Sequence, residues 1–143
     1  MRARLALGLA LVVVLGCGRK GFVPVSGKVT LNGQPLAGAT VAFQPIAPEG
    51  SVEAAPGSAG KTDGNGEYTL TASTGQNGAW VGKHRVMITL LSPQAGEDDA
   101  RHPHSRRGPA LADKVPARYN KDSKEVVEVP PGDMRKDFAL TSP

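Results

Sequence analysis

Cysteine and aromatic side chains are both scarce in this chain. Among its 143 residues there is one cysteine, Cys17. A lone cysteine excludes an internal disulfide and any paired-cysteine zinc or redox site. Phe, Trp and Tyr together make up 4% of the sequence, so a core has to be built from Val, Leu, Ile and Ala. Charge of one sign is lacking as well: the formal net charge is +4. That falls short of the basic patch or stripe that nucleic-acid binders carry, and no aromatic–basic interleaving accompanies it, so no nucleic-acid partner is expected. The sequence has no G-x-S-x-G, no HExxH and no P-loop, the signatures that would announce hydrolase, metalloprotease or nucleotide chemistry. A catalytic triad is recognised by geometry rather than by inventory. The acidic run Glu97-Asp98-Asp99 reads as a solvated stretch, so neither an enzyme nor a cofactor is expected.

Long apolar runs are limited to residues 5–15, built of Leu, Ala, Val and one Gly. This run is too short for a bilayer span, which needs about 20 apolar residues, but it suits the h-region of an export signal. Arg2 and Arg4 precede it as a positive n-region. Val14-Leu15-Gly16-Cys17 ends it and resembles the bacterial lipobox, with an aliphatic residue at −3, a small one at −1 and the cysteine that is diacylated and becomes the new N-terminus. Leu15 at −2 is bulkier than the commonest choice. The resemblance implies lipidation of Cys17, a signal helix and leader over 1–16, and a tether over 17–24. Two or more acyl chains anchor a protein stably where one does not. The leader would take 17 basic residues to 15 against 13 acidic ones, a net of +2. Gly18, rather than Asp, follows the cysteine, which by the lipoprotein sorting rule favours the outer membrane in a cell that has one. The expected location is the cell envelope, at the cell membrane or outer membrane, with the domain periplasmic or surface-exposed.

Beyond the tether the dominant period is two. Val25, Val29 and Leu31 face one way while Ser26, Lys28 and Thr30 face the other, a half-buried strand. Asn32-Gly33 then supplies the strongest short hairpin signal. The next strand is expected over 36–46, with Val41 and Phe43 inward and a bulge or close approach at Gly38. Residues 47–60, rich in Pro, Gly, Ser and Ala, read as loop. A tight turn over 61–68 enters a strand with Tyr68, Leu70 and Ala72 inward. The longest strand is expected over 81–92, with His84, Val86, Ile88 and Leu90 on one face. His84 reads as a packing residue. A long loop over 93–113 is flexible in this reading, and a last pair of strands, 125–129 and 135–140, brackets Pro130-Pro131-Gly132-Asp133. Alternating segments separated by Gly, Asn and Pro predict an all-β, seven-stranded antiparallel β-sandwich after the signal helix.

Four stretches carry a family resemblance: Gly27-Lys28-Val29, Asn32-Gly33-Gln34-Pro35-Leu36, Gly38-Ala39-Thr40-Val41 and Thr62-Asp63-Gly64-Asn65-Gly66-Glu67-Tyr68. In this order they resemble the carboxypeptidase regulatory-like domain, over residues 25 to about 92. The resemblance implies a transthyretin-like (prealbumin-like) sandwich over 25–143 that is an accessory module rather than a catalyst. The segments 115–120 and 131–140 look like the ending of a group of small predicted bacterial lipoproteins built on this domain. His84 departs from the aromatic residue the family often has there.

Two places could hold a metal on residue type alone. Asp63-x-Asn65-Gly66 is similar to the start of a calcium loop, but position 12 counted from Asp63 is Thr74 instead of Glu, so a turn is expected. His102 and His104, near Asp98 and Asp99, are imidazoles that suit Zn, Cu or Ni. Histidines flanked by proline in a charged loop are ordinarily solvated, and no metal site is expected. The same loop carries Arg101, Arg106 and Arg107, the residue type enriched at interfaces, and is the candidate contact surface for an envelope protein or polysaccharide, set against the plainer reading of a flexible surface loop that touches nothing. A non-catalytic, lipid-anchored interaction or structural module is therefore the leading expectation. A small-ligand or metal carrier using the His/Asp-rich loop is the alternative.

Overall fold

Period-two alternation becomes strand wherever the sequence carries it. The computed structural model describes residues 21–51, 55–93 and 111–142. Its strands, in chain order, are β1 (Phe22–Val23), β2 (Val25–Leu31), β3 (Gln34–Pro35), β4 (Thr40–Pro45), β5 (Ser58–Lys61), β6 (Glu67–Thr69), β7 (Thr71–Ala72), β8 (Ala79–Trp80), β9 (Gly82–Thr89), β10 (Leu91–Pro93), β11 (Leu111–Asp113), β12 (Val126–Val129), β13 (Met134–Arg135) and β14 (Phe138–Leu140). One 3₁₀ turn, Ala117–Tyr119, lies between β11 and β12. The described chain is all-β, and none of its helices is long and apolar enough to cross a membrane. Seven longer strands were expected. The described residues form more and shorter ones, divided at Pro24, Gly33 and Gly38 but also at Leu70, Val81 and Leu90.

Two five-stranded sheets dominate. The first runs β12-β9-β4-β5-β7, with every neighbour antiparallel. The second is organised on β2. At Ser26 the partners are Thr69 of β6 on one side and Arg135 of β13 on the other. At Thr30 and Leu31 they are β3 and β14. The pairings of β13 and β14 with β2 are parallel. This corrects two expectations. The sheets are not purely antiparallel, and the segments flanking Pro130-Pro131 are not paired with each other. β12 completes the first sheet and β14 the second, so the proline pair carries the chain across between sheets. Proline has no amide hydrogen for a ladder, which suits it to this crossing.

Apolar faces of both sheets meet in one core. Val41 and Phe43 of β4, Val86 and Ile88 of β9, and Val127 and Val129 of β12 come from the first sheet. Val25 and Val29 of β2, Tyr68 of β6, and Phe138 and Leu140 of β14 come from the second. The rings of Phe43 and Phe138 meet across the layers at 6.3 Å between centroids, near perpendicular. With aromatics so few, this contact and the tilted Tyr68–Phe138 pair at 6.3 Å are the core's bulkiest joints. The arrangement is consistent with a β-sandwich.

Other boundaries moved for physical reasons. β4 starts at Thr40 rather than at residue 36, because Gly38 takes φ +75° in a turn. Residues 58–60, read as loop, and Lys61, read as the start of a turn, form β5 and pair Ser58↔Phe43 through Lys61↔Thr40. Phe22 and Val23, read as tether, pair with Trp80 and Ala79. β10 and β11 pair as the two arms of a hairpin, so ladder occupies both ends of the expected loop over 93–113.

Candidate functional site

The first sheet has two distinct ends, and the chain uses them differently. At one end the described chain enters. The amide of Val81 donates to the Gly21 carbonyl at 2.9 Å, and β1 pairs with β8. Phe22 and Trp80 stack edge to face, 5.1 Å between centroids and 86° apart. Gly78 closes this clamp. It takes φ +94°, and a Cβ there would lie 1.8 Å from the Val23 carbonyl oxygen, so only glycine lets the segments meet. At the other end of β9 the β10–β11 hairpin leaves the sheet, with the Lys114 amide bonded to the Leu90 carbonyl at 3.1 Å.

The entry end holds the larger cavity, a groove of about 1110 Å³. Trp80, Val81, Ile46 and Pro48 give it apolar walls, and Lys83 and Glu128 give it charge. Sheet register explains the assembly: Pro45 pairs with His84, Glu128 with Lys83, and the Ile46 amide donates to the Lys83 carbonyl at 2.8 Å. His84 lies on the groove's inner side, 1% exposed, with its ring 5.7 Å from that of Phe43. Its Nε2 is 2.7 Å from the Trp80 carbonyl oxygen, which can only accept, so Nε2 carries the proton of that bond. Nδ1 is buried with no hydrogen-bond partner among the described residues. His84 thus serves packing, as expected, and also fastens the backbone of Trp80.

A smaller cleft of about 170 Å³ opens between β9 and β14, lined by Tyr119, Ser123, Glu125 and Lys136 among others. The Ser123 hydroxyl donates to the Val86 carbonyl at 2.5 Å and is committed to structure. The Tyr119 hydroxyl accepts from the Thr141 amide at 3.2 Å. Hydrogen bonds from the Thr141 side chain first, then from Arg118 and the Thr141 backbone, favour the phenolate and lower the Tyr119 pKa to about 8. Tyr68 moves the other way, because burial, with Asp137 nearby, penalises its charged form; its hydroxyl donates to the Lys136 carbonyl at 2.6 Å. The chain has two tyrosines. Ultraviolet titration of the native protein is therefore expected to show one tyrosine ionising near pH 8 and the other well above the ordinary range. Two overlapping transitions near pH 10 would contradict it. In terms of stability, Tyr119 favours the fold increasingly as pH rises from 8 to 10, while Tyr68 costs stability above pH 10.

The residues singled out in the sequence divide sharply. Cys17, His102, His104, Arg101, Arg106 and Arg107 lie outside the described residues. Asp63 forms the expected turn. Its Oδ1 accepts from the amides of Asn65 at 2.8 Å and Glu67 at 2.9 Å, so backbone occupies that oxygen. Among the described residues no group of three or more His, Cys, Asp or Glu side chains is placed to hold a metal ion. Comparison with family models, with curated proteins and with solved structures returns no match. Sequence reasoning passed over Trp80, the chain's one tryptophan. Its place between a turn and the apolar Val81 carries no period, and only the β1 pairing reveals where it sits.

Proposed function

We propose that the protein is an exported lipoprotein, anchored through diacylated Cys17, whose sandwich is a non-catalytic interaction or structural module at the cell envelope. The observation that carries this reading is the placement of the chain's entry and of its hairpin at opposite ends of β9. Cys17 precedes Gly21 by four residues, a reach of about 14 Å fully extended. An anchor on Cys17 therefore holds the β1–β8 end of the domain at the membrane. Seven residue steps along β9, about 23 Å, separate that end from the β10–β11 hairpin. The described arms of the hairpin are thereby offered away from the lipid, and Arg101, Arg106 and Arg107, the contact residues proposed for a protein or polysaccharide partner, fall between those arms in the sequence. A prealbumin-like, carboxypeptidase regulatory-like sandwich is the family reading that the motifs at 27–68 favour. It agrees with a domain whose special residues, from Gly27 to the Asp63 turn, all serve the scaffold.

Detergent phase separation tests the anchor. Full-length protein expressed with its leader is expected in the detergent phase, and Cys17→Ala in the aqueous phase. Aqueous partitioning of both proteins would reject lipid anchoring.

A further inference from the structure

We infer that the groove end of the domain, centred on Trp80 and Ile46, is a membrane-contact surface that rests at the headgroup level of the phospholipid bilayer. The inference rests on the reading of Cys17 as the anchor, and the geometry around Gly21 takes it further. The Gly21 carbonyl is hydrogen-bonded to Val81, a lining residue of the groove, so the first described residue is one hydrogen bond from the groove wall. With three residues between anchor and fold, Gly21 cannot stand more than about 14 Å from the lipidated cysteine, and the wall is one hydrogen bond further. No other face of the domain is so constrained.

The chemistry of that face suits the headgroup boundary. Tryptophan, with an apolar body and one N–H donor, concentrates at membrane–water interfaces. Trp80 is braced edge-on by Phe22 and held from behind by the His84 bond to its carbonyl, so it is presented rigidly. Ile46 is 39% exposed beside it. An exposed isoleucine alone means little; here it shares one groove with the tryptophan and the tether's exit. Arg19 and Lys20, between Cys17 and the fold, add two positive charges that anionic headgroups attract. Glu49 and Glu128 in the groove lining oppose burial in hydrocarbon and keep the contact shallow.

Because Trp80 is the chain's one tryptophan, its fluorescence reports on this groove alone. The test uses membrane-extracted, full-length protein reconstituted in vesicles of phosphatidylethanolamine and phosphatidylglycerol, with its intact mass recorded on the same sample. Brominated phospholipids are expected to roughly halve Trp80 emission, as for an indole at the interface, and the vesicles to shield it from aqueous iodide. Ile46→Asp, which leaves Cys17 untouched, is expected to restore iodide access. Acylated protein whose Trp80 is quenched by iodide as freely as that of Cys17→Ala in solution would overturn the contact and leave the anchor standing. Shielding from iodide without quenching by brominated lipid would mean that the protein's own chain or acyl group fills the groove, and would also overturn it. A mass without acyl groups on Cys17 would overturn the anchor reading and this inference together.

Discussion

Gly27→Ala is expected to destabilise the domain by about 3 kcal/mol or more, at the upper end of overpacking costs. Gly27 is buried in the middle of β2, opposite Tyr68, and the connection between β13 and β14 passes directly over it. A Cβ there would lie 1.8 Å from the Lys136 carbonyl oxygen and 2.9 Å from the Tyr68 ring. Neither neighbour can retreat freely. The Lys136 amide is bonded to the Ser26 carbonyl at 2.8 Å, and its own carbonyl accepts from the Tyr68 hydroxyl at 2.6 Å. Next to it, Asp137 takes the place of backbone in the ladder, accepting from the Lys28 amide at 2.8 Å. The methyl group would therefore strain the parallel seam that joins the C-terminal strands to β2. Gly33→Ala is the matched control. Gly33 has φ +80° but nothing within 4 Å of a new Cβ, so its cost is the left-handed penalty alone, about 1–2 kcal/mol. Denaturant midpoints that rank the two substitutions equal would contradict the close approach at Gly27.

Thr62→Val is expected to cost about 3 kcal/mol although it changes volume little, because two buried backbone groups lose their partner. The Thr62 hydroxyl donates to the Leu36 carbonyl at 2.6 Å and accepts from the Ala39 amide at 2.8 Å. It thereby satisfies the turn that places Gly38 between β3 and β4, and the backbone of Thr62 adds two more bonds, from its amide to the Ala39 carbonyl and from the Gly38 amide to its own carbonyl. Thr62→Ser keeps the hydroxyl and removes one methyl group, for about 1 kcal/mol. A thermal denaturation series in which the serine variant falls as far as the valine variant would show that packing, not the hydroxyl, is what Thr62 supplies.

How far the sequence revealed these features depended on whether the signal was local. The sequence marks β2 with its observed bounds, because Val25, Val29 and Leu31 alternate with polar neighbours and Asn32-Gly33 stops the strand. In the structure both turn residues have positive φ, +52° and +80°, the backbone that a two-residue hairpin requires. The inward assignments of Tyr68, Leu70, Ala72, His84, Val86 and Ile88 hold for the same reason. β5 escaped because Ser58-Ala59-Gly60-Lys61 has no apolar alternation. Its place is set by neighbours, since a Cβ on Gly60 would meet the Thr69 carbonyl oxygen at 2.2 Å. The parallel pairing of β13 and β14 with β2 joins residues over a hundred positions apart, and no local pattern encodes a partner at that distance. The groove was invisible for a similar reason: Ile46, the stretch from Trp80 to Lys83, and Glu128 come from three separate segments that register alone brings together. Thr62 looked like a turn residue, and its burial follows only from the fold.

The most direct test of the central claim is the intact mass of protein extracted from the membrane of a cell expressing the full-length chain. The anchored reading predicts a species that begins at Cys17 and carries added diacylglycerol mass, with the leader 1–16 removed. An unmodified chain, or one beginning at any other residue, would contradict it and would leave the 14 Å leash between lipid and groove without foundation.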